Sequence, residues 1–345
     1  MQIREMIEAR KKKYLELYKK DGNRKGLLIV EPTWDVPHCP TPYKNAEEAL
    51  VTFAYEKYSR AAERMSWLDD DSLPFIDIHT GTEIFAAAMG AKVYENNDEM
   101  PFALPFMHDP SEVAALKVPK LEDSSLMRLF ERASKLKSMC GKDALLRLPD
   151  IQSPMDIACL LFDKTDLFCA LLTDPDAIKE LCDKTAELLT AFLDTWFAEF
   201  GKEFMAHYPD YYMDYGITLS EDEIGAVSPE MFSEFFLPHL NMLSQRYGKI
   251  GIHCCANSKH QWNGFLQIEN LTLLNLGQPL EIQKESFKVF SNHCALMPMW
   301  DGRDNAGSFK KWRGELPSDC RMIYYSEAQT KDEALRICDA FKEAF

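Results

Sequence analysis

The sequence has no run of apolar residues longer than six, the length reached at 157–162 and 167–172. A membrane-spanning helix needs about 20, so no span is predicted. The ten cysteines contain no C-x-x-C pair, which excludes a zinc ribbon and a thioredoxin motif. Neither G-x-G-x-x-G nor G-x-x-x-x-G-K-[ST] occurs, so the usual glycine-rich phosphate turns are missing. Positive charge is short as well: 39 Lys+Arg stand against 55 Asp+Glu, a formal net charge of −16. That balance argues against a general nucleic-acid binder, though not against a local basic pocket for a small anion. Residues 1–6 enter a charged helical pattern with no apolar signal core, which predicts a mature, cytoplasmic chain with reduced cysteines. Cys159, Cys169, Cys182 and Cys338 lie in apolar helical patterns and are expected to pack as small hydrophobes.

What is present is a globular composition, 46% hydrophobic against 27% charged. A length of 345 residues allows one large α/β barrel or two ordinary domains. Apolar positions at Ile3, Met6, Ile7, Tyr14 and Tyr18 predict an N-terminal helix within residues 1–25, with Arg10 to Lys13 on its wet side. Strands are expected at 26–32, 73–78, 144–148, 211–219, 250–253, 271–276, 295–300 and 322–325, separated by helices. One of these helices runs from an Asn45 cap to about Met65; another begins at Ser228-Pro229-Glu230. Short apolar strands alternating with helices about eight times imply a parallel sheet. The closed solution is a single-domain (β/α)8 TIM barrel over 1–345, with active residues on the loops after the strands. A doubly wound open sheet is the alternative.

In a barrel the strand tops carry Glu31, Trp34, Asp77, His79, Glu83, Asp150, Gln152, the run Glu221-Asp222-Glu223, His253-Cys254-Cys255, Gln278, Asp301 and Glu327. This is an acidic rim with one cysteine-rich corner. In extended chain, residues i and i+2 face the same way, so His253 and Cys255 can converge while Cys254 points into the packing. Zinc accepts such a nitrogen and sulfur pair, and a catalytic site needs one further protein ligand and an open position. A hydrogen-bonded core histidine beside a buried thiol is the competing reading. Cys294 lies at the opposite end of its strand, away from this corner.

The segment Leu219-Ser-Glu-Asp-Glu-Ile-Gly-Ala-Val-Ser-Pro-Glu-Met-Phe-Ser-Glu-Phe-Phe-Leu-Pro-His-Leu240, followed by His253-x-Cys255, resembles the uroporphyrinogen decarboxylase superfamily. Within it, the likeness is greatest to the zinc-dependent corrinoid and coenzyme M methyltransferases, whose H-x-C-G motif appears here with Ala256 in place of glycine. Residues 150–154 stand where that family has a G-x-P-F-T-like turn, and residues 296–301 where it has L-x-G-N-x-D. The decarboxylases' arginine-rich R-Q-A-G-R segment has no counterpart at 30–37, so an octa-anionic porphyrinogen would meet an acidic rim without a clamp.

The resemblance implies a TIM barrel holding zinc through His253 and Cys255. Glu327 stands in the place of the family's third ligand, a cysteine. It further implies methyl exchange between a small substrate and a corrinoid (cobalamin) carried on a small partner protein. The acidic run 221–223 is either a solvated turn or projects Asp222 into the mouth as proton carrier or support for a metal ligand, and in the family's pattern Asp150 and Gln152 line the pocket. Asp301, which ends an apolar strand, serves either in catalysis or as a helix cap. His79 and Glu83, read as one helical turn apart, face either the pocket or the surface. Trp34, Trp262 and Trp300 would form an apolar wall for a flat macrocycle or else belong to the core. A decarboxylase working without metal, and a non-catalytic corrinoid- or tetrapyrrole-binding barrel, are the alternatives. An exposed apolar helix would support a homodimer.

Overall fold

Strand and helix alternate through the computed structural model, which describes residues 3–42, 47–95, 99–298 and 309–345. The chain begins with α1 (Ile3–Tyr18), β1 (Gly26–Pro32), α2 (Glu47–Arg64), β2 (Phe75–Ile76) and α3 (Ile84–Ala88). An antiparallel hairpin of β3 (Lys92–Tyr94) and β4 (Phe102–Leu104) precedes α4 (Met127–Cys140) and β5 (Leu145–Arg147). Three helices follow, α5 (Pro154–Leu161), α6 (Lys164–Thr173) and α7 (Pro175–Phe200). Then come β6 (Phe204–Met205), β7 (Tyr212–Met213), β8 (Ile217–Ser220), α8 (Pro229–Met231), α9 (Leu237–Tyr247) and β9 (Ile250–Cys254). The chain closes with α10 (Trp262–Phe265), β10 (Leu271–Leu276), α11 (Leu280–Phe290), β11 (Ala295–Leu296), α12 (Phe309–Glu315), β12 (Met322–Ala328) and α13 (Lys331–Ala344).

Two arcs of sheet result. One has the order β1-β12-β11-β10-β9-β8 and is parallel throughout. The other, β2-β5-β6-β7, is parallel except for its last pair. Backbone contacts tie the two arcs together at two places. Beyond β5, Ser220 donates its N–H to the Ile151 carbonyl at 2.9 Å, and Ser153 donates to the Ser220 carbonyl at 3.0 Å. Before β2, Asp71 donates its N–H to Leu28, while the Asp71 and Asp70 carboxylates accept from Leu28 and Val30. Leu27 to Val30 are buried on both faces, as parallel strands covered by helices require.

Several expected elements change in the folded chain. The block 211–219 splits into β7 and β8 at Gly216, whose φ of +106° suits glycine, and β7 turns back antiparallel to β6. The strand expected over 295–300 is regular at Ala295–Leu296, and residues 299–308 lie outside the described set. So does the Asn45 cap, although α2 agrees with the helix expected there. Cys169 is exposed on α6, unlike the buried Cys159, Cys182 and Cys338.

The basic run of α1 is not all on the wet side. Arg10 is 4% exposed and Lys11 7% exposed. Arg10 donates to Asp70 at 3.0 Å and to the Leu68 and Ser72 carbonyls at 2.6 Å each, and Lys11 pairs with Glu203 at 2.8 Å. Amphipathic periodicity could not show this, because the carboxylates that make burial affordable lie 60 and 192 residues away.

The helix begun by Ser228 is irregular for a local reason. Ser228 accepts the Met231 N–H at 3.3 Å as its cap. Residues Phe232–Phe236 then form a π-turn before α9. Pro238 has no N–H to give to the carbonyl four residues back, and its ring would strike that carbonyl; a widened turn relieves both. Among the described residues no helix is long and apolar enough to cross a membrane.

Candidate metal centre

The corner at the end of β9 is built by strand geometry. Cys254 is fully buried while Cys255 is exposed, and His253 is only 9% exposed. Asn275, 1% exposed, is His253's register partner on β10. Its side-chain N–H₂ donates to the Met297 carbonyl, which can only accept; its Oδ1 therefore faces His253. Nδ1 of His253 must then carry the proton and donate to Asn275 Oδ1, which leaves the Nε2 lone pair for another partner. The Tyr208 ring stands edge-on to the imidazole at 5.2 Å.

Asp222 completes the group. It follows β8, and its Oδ1 accepts the Cys255 N–H at 2.6 Å. Ligand atoms of Asp222, His253 and Cys255 all lie within 4.8 Å of one another. A tetrahedral ion with bonds of about 2.0–2.3 Å needs its ligand atoms roughly 3.3–3.8 Å apart, so small side-chain movements would close the set. Nitrogen, sulfur and carboxylate oxygen from three residues, one of them exposed, fit zinc with an open position. Burial, and next the Asp222 charge, push the Cys255 thiol up to about 11.

The three neighbouring acids have separate fates. Glu223 pairs with Lys164 at 2.5 Å. Glu221 is fully buried beside Asp156, and its carboxyl rises well above the usual range through burial and that neighbour. Asp156, on the first turn of α5, accepts the N–H groups of Asp222 and Glu223 at 2.7 and 3.2 Å.

Asp150, 7% exposed, sits above β5 with His207 Nδ1 at 3.5 Å. Burial pushes its carboxyl up to about 7; Arg147 opposes the rise, while Glu83, Asp222 and Asp156 add to it. Burial, then Arg147, keep His207 well below its usual value and therefore neutral. Gln152 bridges to Ser220, and its buried Oε1 has no hydrogen-bond partner. Below this group, Arg147 is buried between Asp77 and Asp210, with Lys57 2.8 Å from Asp77.

Other expected residues lie elsewhere. Glu327 is exposed on β12, in register with Glu31, and is not in the Asp222–His253–Cys255 group. Three strand spacings, each about 4.8 Å, separate β12 from β9. His79 and Glu83 do not share a helical turn, because α3 begins only at Ile84. His79 instead has its Nε2 3.3 Å from Cys39 Sγ, and Glu83 is fully buried. Trp34 is 41% exposed against Trp67, while Trp262 packs in the core on Phe290. Asp301 and Trp300 lie outside the described residues. A second group, His108, Asp163 and Asp166, is at the surface, where Asp163 caps α6.

Asn275, Asp156, His207 and Arg147 were not singled out from sequence. For Asn275 and Arg147 a signal existed, a polar residue within an apolar strand pattern. For Asp156 and His207 there was none.

The family profile described as "Uroporphyrinogen decarboxylase (URO-D)" matches residues 70–297. No curated protein matches the sequence. Among solved structures, a methyltransferase from Methanosarcina mazei superposes with a TM-score of 0.67 at 14% identity, covering 97% of each chain. The apo homocysteine methyltransferase MmuM from Escherichia coli reaches a TM-score of 0.34 at 12% identity over 94% of this chain and 97% of its own, too low to support an argument.

Proposed function

Because the chain belongs to the uroporphyrinogen decarboxylase family, we propose that it is a (β/α)8-barrel, zinc-dependent methyltransferase. It exchanges a methyl group between a small substrate and a corrinoid. The observation that carries this reading is the convergence of Asp222, His253 and Cys255, with Asn275 fixing the imidazole from behind. Two sheet arcs tied together beside β2 and beyond β5, and the likeness to the Methanosarcina mazei methyltransferase, support the barrel.

His253 would present Nε2, Cys255 its sulfur and Asp222 a carboxylate oxygen to one ion. Bound zinc would keep a substrate thiol ionised at neutral pH, and a corrinoid on a small partner protein would carry the methyl group. Asp150, with its proton affinity near neutrality, is the group that would take the proton the substrate gives up. Gln152 Oε1 is an unused acceptor that would orient a substrate N–H or O–H. In this proposal Asp222 takes the third-ligand role first assigned to Glu327.

The decarboxylase alternative needs cationic groups for porphyrinogen carboxylates. Arg147, the arginine acting on Asp150, is already held by Asp77 and Asp210. The test is metal analysis of zinc-reconstituted protein, together with methyl transfer between methylcobalamin and simple thiols. About one zinc per chain and thiol-dependent demethylation are expected. A reconstituted chain holding no metal refutes the proposal.

A further inference from the structure

The turn that carries Asp222 is held from outside the metal group. Asp156 projects from the first turn of α5, is 4% exposed, and spends both carboxylate oxygens on that turn, accepting from Asp222 at 2.7 Å and Glu223 at 3.2 Å. On the other side, Glu221 donates its N–H to the His253 carbonyl at 2.9 Å, and Asp222 Oδ1 accepts from the Cys255 N–H. Residues 221–223 thus hang between one buried carboxylate and the His253–Cys255 corner.

Asp156 is itself fixed. Its N–H donates to Ser153 Oγ at 3.0 Å, the cap of α5, and Ser153 and Ile151 are paired through their backbones to Ser220. The segment 150–156 therefore carries Asp150 and Gln152 at one end and the support for Asp222 at the other. Two successive N–H groups aimed at one carboxylate make a small anion-binding concavity. A buried carboxylate placed in it orients the next side chain more firmly than water would.

We propose that Asp156 is a positioning residue. By clamping the Asp222 and Glu223 amides, it sets Asp222 at the distance from Cys255 and His253 at which one ion can be shared. This role rests on the metal reading above for its purpose, but the clamp itself can be measured without any metal.

The experiment compares wild type with Asp156→Asn, Asp156→Ala and Thr330→Ala. The last removes the distant cap of α13, where Thr330 Oγ1 accepts the Glu333 N–H at 3.2 Å, and serves as a control for stability loss alone. Hydrogen exchange of the 219–226 segment is followed in the metal-free chain by mass spectrometry. Co²⁺ is then titrated, reading the thiolate-to-cobalt absorption and the ligand-field bands. Asn keeps one acceptor oxygen and the shape of the side chain, so it guards against a failure of the Ala variant to fold.

Exchange in this segment should speed up in both Asp156 variants and not in Thr330→Ala. Co²⁺ affinity should fall 10–100-fold in Asp156→Ala and less in Asp156→Asn, with altered ligand-field bands. Unchanged exchange in the folded Asp156→Asn variant overturns the clamp. Faster exchange with wild-type cobalt affinity and bands overturns the positioning role. A wild-type chain without a thiolate–cobalt band overturns the metal reading instead, and the exchange result then decides the clamp by itself.

Discussion

Replacing Asn275 tests the candidate centre without touching a ligand. The residue is 1% exposed, accepts from His253 Nδ1 and donates to the Met297 carbonyl. Asn275→Leu keeps a similar volume but leaves that N–H and that carbonyl unpaired in the interior. Each orphaned group costs about 1–3 kcal/mol, so a stability loss of about 2–6 kcal/mol is expected by urea unfolding. The imidazole also loses its orientation and the partner that fixes its tautomer. Groups in this supporting position are worth about 10–100-fold in metal affinity, or roughly 1.4–2.7 kcal/mol. Asn275→Asp separates the two effects. It keeps an acceptor for the His253 N–H, so zinc affinity should remain within a few-fold of wild type. It places a carboxylate against the Met297 carbonyl, so stability should still fall. The assay is zinc competition against a chromogenic chelator, in parallel with unfolding. A folded Asn275→Leu protein with wild-type zinc affinity would refute the inference that Nε2 of His253 is the metal-facing nitrogen.

Removing a ligand should have the opposite balance. His253→Ala, Cys255→Ala and Asp222→Asn should each abolish stoichiometric zinc binding while the chain stays folded by circular dichroism, since catalytic sites contribute little to folding. Glu327→Gln should leave zinc binding unchanged; loss of zinc from it would restore Glu327 as the third ligand. Asp150 binds its proton more tightly in the folded chain than in the unfolded one. Its contribution to stability is therefore complete below about pH 4 and is lost as pH rises through about 7, by up to about 4 kcal/mol. Asp150→Asn should accordingly shrink the difference between unfolding free energies at pH 5 and pH 8; an undiminished difference contradicts the assignment. Arg147→Met leaves Asp77 buried with Lys57 alone, and chemical denaturation should show a loss of about 3–5 kcal/mol. Gly216→Ala sets a Cβ at φ +106° only 2.6 Å from Lys249 Cβ, and thermal melting should register more than about 1 kcal/mol of destabilisation.

Parts of this protein follow from local rules that a sequence states openly. The β/α alternation, the buried strands at 26–32 and 271–276, and the Ser-Pro-Glu helix start depend on residues near one another in the chain. So does the shared direction of His253 and Cys255, because the period of an extended strand is two. What remained out of reach depends on which distant segments become neighbours. Asp222, rather than Glu327, joins the imidazole and the thiol because β8 pairs with β9, whereas β12 lies three strands away. Arg10 leaves the solvent because Asp70 waits beneath it, and the Asp150 carboxyl is pushed up by burial, with Glu83, Asp222 and Asp156 folded around it adding to the rise. Charge and hydrogen-bonding power act through space, and only the folded chain decides what lies within their reach.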